Sequence, residues 1–123
     1  MHQEAELFKA LSDPTRLRLV ALLALHGEVC VCVMAEALDE PGFKISRHLR
    51  ILRAAGIADT RRAGTWIYYR LAEPRTRLEA CLQDCFRDCL KDHETVVADA
   101  ARLQQASCGM ESAEEPITRN PDK

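Results

Sequence analysis

The residues best equipped for chemistry in this chain are its six cysteines, and their spacing sorts them into three groups. Cys30 and Cys32 form a Cys-x-Cys pair, Cys81, Cys85 and Cys89 recur every four residues, and Cys108 stands alone. Thiolates are soft ligands that select thiophilic ions. On a regular helix residues two apart point to different sides, so Cys30 and Cys32 share an ion only at a frayed first turn. A helix N-terminus would also lower the thiol pKa and favour the thiolate. The plainer alternative is a pair of small buried hydrophobes. Cys81, Cys85 and Cys89 lie on one helical stripe but span about 12 Å, too far to hold one ion jointly. They read either as small members of an apolar seam with Leu78, Leu82, Phe86 and Leu90, or as a second ion site assisted from elsewhere.

The second constellation is cationic. Residues 41–70 carry seven Lys/Arg against one acid, whereas the segments on either side are each net acidic by four charges. A basic block between acidic ones suits a polyanion that touches only the middle of the chain. Within it, Lys44, Ser46, Arg47, His48 and Arg50 surround an apolar stripe of Ile45, Leu49 and Leu52, and Arg61, Arg62 and Thr65 flank a small Ala63-Gly64 turn. Arginine pairs bidentately with guanine, and Ser and His donate to bases or phosphates. Guanidinium groups on a narrow hairpin approach phosphates or enter a minor groove.

The elements that must position these groups follow from apolar periodicity and from start and stop signals. Glu4 to Leu11 predicts a short helix. A second starts at the Asp13 cap with Pro14 in its first turn and stops at Gly27. Val31 to Leu38 is a third, followed by the turn Asp39-Glu40-Pro41-Gly42, and Phe43 to Ala55 a fourth. Ile57 to Leu71 alternates as a β-hairpin. A single long helix is expected from Pro74 to about Gln105. The expected fold is mainly α with a β-hairpin wing, a winged helix-turn-helix over residues 1–106, with 107–123 as a disordered tail. In that fold the fourth helix lies in the major groove with its N-terminal end toward the base edges.

Three runs carry a family resemblance: Glu28-Val-Cys-Val-Cys-Val-Met-Ala-Glu-Ala-Leu38, Lys44-Ile-Ser-Arg-His-Leu49 and Gly64-Thr-Trp-Ile-Tyr-Tyr-Arg-Leu71. With Ser12-Asp13-Pro14-Thr15-Arg16, they resemble the arsenical-responsive branch of the ArsR/SmtB repressors over residues 4–72. The resemblance implies a homodimeric repressor that leaves operator DNA when trivalent arsenic or antimony binds Cys30 and Cys32. In relatives a third cysteine often follows, at the position of Ala35 here. The third ligand is therefore open among Cys81, Cys85, Cys89, Cys108 or an exogenous group. A thiol redox trigger on the same DNA-binding frame is the alternative.

Other classes are disfavoured. The chain has no Cys-x-x-Cys pair, no glycine-rich phosphate loop and no Ser/His/Asp set, so no enzyme and no organic cofactor are expected. His2, His26 and His93 are too scattered for a zinc site, and Asp84, Asp88, Asp92 and His93 read as a solvated face. With no apolar run of membrane-spanning length and no secretory pattern at the start, a cytoplasmic protein with reduced thiols is expected, without a membrane partner.

Overall fold

The computed structural model describes residues 1–106. The expected tail, 107–123, and Cys108 within it lie outside the described residues. Helix α1 (His2–Leu11) leads through Ser12 into α2 (Pro14–His26). Asp13 caps α2 as its sequence dictates, its carboxylate accepting from the Arg16 N–H at 3.1 Å, and Gly27 ends it at φ 77°. A two-residue strand, β1 (Val29–Cys30), precedes α3 (Val31–Leu38) and α4 (Gly42–Ala54). The hairpin β2 (Ala58–Ala63) and β3 (Trp66–Leu71) follows, and the chain closes with α5 (Arg77–Cys89) and α6 (Glu94–Gln105). Among the described residues no helix is long and apolar enough to cross a membrane.

The core is one cluster. Leu19, Val20, Met34, Ile45, Leu49 and Leu52 are fully enclosed between α2, α3 and α4. Burying a side chain of this size stabilises the fold by about 1.5–3 kcal/mol, so this cluster sets the angle between α3 and α4. The turn between them is Asp39-Glu40-Pro41. Asp39 takes a left-handed conformation, φ 56°, which its short polar side chain tolerates better than most residues would.

The sheet has the order β1-β3-β2, antiparallel throughout. Ala63 pairs with Trp66, so the tight turn is Gly64-Thr65 rather than Ala63-Gly64. Gly64 has φ 64°, the positive value that a two-residue hairpin turn needs and that glycine adopts without steric cost. The strand β1, which the sequence did not signal, pairs Val29 with Tyr69 and Cys30 with Tyr68.

The expected single helix from Pro74 to Gln105 is two helices. Helix α5 ends at Cys89 with Leu90 as its C-cap, and His93 restarts the chain by accepting the Thr95 N–H on its Nδ1 at 3.1 Å. The break lets α6 fold back on α2 and α3 and bury Val96 and Asp99. Asp99 accepts from Arg18 at 2.8 and 3.0 Å and from Arg102 at 2.7 Å. The same two guanidinium groups donate to carbonyls at the end of α3, Arg18 to Leu38 and Arg102 to Ala37. Those carbonyls are ones a helix end leaves without intrahelical partners, so α6 fastens the end of α3 that leads into α4.

Candidate DNA interface and sulfur site

Helix α4 turns Ile45, His48, Leu49 and Leu52 into the core and leaves Phe43, Arg47, Arg50, Arg53 and Ala54 exposed. Arg47 and Arg50 stand on the outward ridge, three residues apart on the same face. Ser46 lies beside them, half-buried. Lys44 is half-buried too, and its ammonium is tied to Glu40 at 3.0 Å. Exposed Phe43 stands on the same ridge, where no charge or motif in the sequence marks it.

His48 corrects the sequence reading. It was expected to face DNA, but only 7% of it is exposed. Its Nδ1 accepts from Arg16 at 3.1 Å and lies 3.9 Å from an Asp13 carboxylate oxygen. The residue sits at the edge of the apolar stripe, where its ring reaches the first turn of α2 and joins the two helices. Burial lowers its pKa below the ordinary 6.5; Asp13 pulls the other way, and Arg16, Arg47 and Lys44 reinforce the drop. The folded chain thus takes up this proton less readily than the unfolded chain. Stability due to His48 is therefore complete above the ordinary value and is lost as the pH falls through the lowered one. Urea unfolding at pH 7.5 and 5.5 should show a larger acid loss for the native sequence than for His48→Gln. Equal losses would mean that His48 is not held neutral.

On the wing, Arg61 is less available than the sequence suggested. Its Nε and Nη2 form a fork on Glu28 at 3.0 and 2.7 Å, and its guanidinium lies 4.7 Å from the Tyr68 ring centre. A carboxylate held this closely offsets much of the charge that a phosphate would meet. Arg62 and Thr65 are exposed near the tip, as expected. Arg53 and Arg70, also exposed, extend the basic surface.

The sulfur pair lies where this wing meets α3. Cys30 is 2% exposed, belongs to β1 and is the N-cap residue of α3, in an extended conformation. Cys32 is half-buried in the first turn of α3 and is disulfide-bonded. The pair straddles a strand–helix junction, so the objection drawn from a regular helix does not apply, but a shared ion also requires Cys32 in its reduced form. The expected acidification does not hold for Cys30. Burial pushes the Cys30 thiol up, against the weaker opposing pull of the Cys32, Val33 and Ile67 N–H groups. Among the described residues no three His, Cys, Asp or Glu side chains gather to hold a metal ion, so a closed four-ligand zinc-type site is not formed there.

Cys81, Cys85 and Cys89 are free and exposed on the outer face of α5. The helix turns Leu82 and Phe86 inward instead, toward Leu7 and Leu11 of α1. The Cys89 sulfur raises the pKa of Cys85, so these two thiols are neighbours one turn apart.

This architecture and sequence match known proteins. Residues 13–60 fit the family model of bacterial regulatory proteins of the arsR family. The chain is 40% identical over 107 residues to the arsenical resistance operon repressor of Escherichia coli K12, covering 87% of this chain and 90% of that one. The chain belongs to the ArsR family. A cadmium resistance regulatory protein homolog from Staphylococcus aureus is 41% identical over 73 residues, 59% of this chain and 60% of that protein. Among solved structures, the homodimeric winged helix-turn-helix DNA-binding domain Mb0332 of Mycobacterium bovis superposes with a TM-score of 0.60. It is 35% identical and covers 75% of this chain and 85% of its own. This ArsR-family chain is thus a winged helix-turn-helix DNA-binding regulator, with α4 as second helix of the pair and β2–β3 as wing.

Proposed function

We propose that the chain is a cytoplasmic, homodimeric repressor of a metalloid-resistance operon, released from its operator when trivalent arsenic or antimony bridges Cys30 and Cys32. The observation that carries this reading is the position of Cys30. Its backbone pairs with Tyr68 in the wing sheet, while the same residue opens the helix that leads into α4. An ion joining the two sulfurs therefore pulls on both DNA-contacting parts together. Release follows if the ion prefers a conformer with a poorer groove fit, since a ligand shifts an equilibrium only through differential affinity. Relatives named for arsenic and others named for cadmium are consistent with a soft-ion inducer.

In this reading Arg47, Arg50 and Ser46 address base edges, Arg62 and Thr65 address phosphates, and Lys44 and Arg61 reach phosphates only by giving up Glu40 and Glu28. Trivalent arsenic favours three sulfurs. The third ligand is either a small exogenous thiol or one of Cys81, Cys85, Cys89 and Cys108, the last lying outside the described residues. X-ray absorption on single-cysteine variants counts the sulfur neighbours directly.

The test uses reduced protein and a duplex obtained by in vitro selection. Arsenite at micromolar concentration should release the native chain and leave Cys30→Ser/Cys32→Ser bound. Normal release of that double variant would remove the sulfur pair from the sensor. A second reading, a redox trigger, is favoured by one observation: Cys32 is disulfide-bonded. Release by peroxide without arsenite, reversed by dithiothreitol, would select it over the ion.

A further inference from the structure

Phe43 is 75% exposed, more than any other large apolar side chain among the described residues apart from Met1 at the chain start. It occupies the first turn of α4, directly after the Gly42 at which the helix begins. At the helical repeat, Phe43, Arg47, Arg50 and Ala54 fall on one ridge. Ile45, Leu49 and Leu52, all fully buried, lie on the opposite side. The ring therefore points where the arginines point, at the end of the helix that reaches furthest toward the bases. Its neighbour Lys44 is drawn aside by Glu40 and does not cover it.

An aromatic ring offers nothing to a phosphate and makes no bidentate bond to a base. Of the groups displayed on base edges in the major groove, one is apolar, the 5-methyl of thymine. We propose that Phe43 is a specificity-determining residue that packs on the 5-methyl group of a thymine in each half-site. The inference rests on the reading of α4 as the groove helix. It adds to the arginine contacts a discrimination they cannot supply, since guanidinium donors address acceptors and not methyl groups.

Replacing thymine by deoxyuridine removes the methyl group and nothing else. A duplex selected in vitro on the reduced native protein is scanned one thymine pair per half-site at a time, with fluorescence anisotropy as the readout. One symmetric position should weaken the native chain about fourfold per half-site, the value of one buried methylene-sized group. Phe43→Ala should bind the thymine and deoxyuridine duplexes equally, and Phe43→Leu should retain part of the difference. Because the ring is exposed, both variants should melt with the native chain, which separates contact from folding. Indifference of the native chain at every position, or a deoxyuridine penalty that persists in Phe43→Ala, overturns the inference while DNA binding stands. Failure to bind any duplex would overturn the DNA reading and this inference together.

Discussion

Asp99→Ala should lower the unfolding free energy by about 3 kcal/mol and the Tm by at least about 10 °C. Asp99 is 1% exposed and accepts three hydrogen bonds from two arginines. Removing a buried acid leaves its partners without compensation, which costs about 3–5 kcal/mol where both are enclosed. The lower end applies here, since the side chains of Arg18 and Arg102 keep 22% and 42% exposure. DNA affinity should fall with stability, because the same arginines hold the carbonyls that precede the turn into α4. Thermal melting and calorimetry measure the first effect. A Tm within two or three degrees of the native value would mean that α6 does not brace α3.

Arg47→Ala should weaken binding to a selected duplex by about 1–3 kcal/mol per half-site and relax preference at one base pair. The side chain is exposed on the outer ridge of α4, so the unfolding free energy should stay within about 0.5 kcal/mol of the native value. Arg47→Lys separates the roles. A phosphate contact tolerates lysine, whereas a bidentate base contact does not. Undiminished affinity of Arg47→Ala would place α4 outside the groove.

The parts of the molecule governed by local rules were legible in the sequence. The Asp13 cap, the Gly27 stop and the short α3 each depend on a few adjacent residues, and the structure places them where those residues call for them; the hairpin is present too, with its turn one residue later, at Gly64-Thr65. The parts that were not legible depend on partners far away in sequence. Nothing in Val29-Cys30 marks a strand, since two residues cannot show alternation; β3 makes it one. The α5–α6 break is hidden because no Gly or Pro interrupts the run, and His93 acts as a cap, a role more often taken by Ser, Thr, Asp or Asn. The Arg18–Asp99 pair joins residues 81 apart, which periodicity cannot reveal. His48 was misplaced because a residue flanking an apolar stripe goes inward or outward according to what waits for it, here Arg16 and Asp13. Phe43 carries no charge or hydrogen-bonding group that would mark it, although its spacing of four and seven from Arg47 and Arg50 puts it on their ridge.

The ladder between β1 and β3 is made by main-chain groups, which do not depend on the identity of the side chain at position 30. Side chains at 30 and 32 can therefore change, within the space available, while the strand pairing and the recognition frame stay intact. On the proposed reading of Cys30 and Cys32 as the sensor, a scaffold organised this way lets the chemical stimulus change independently of the promoter address.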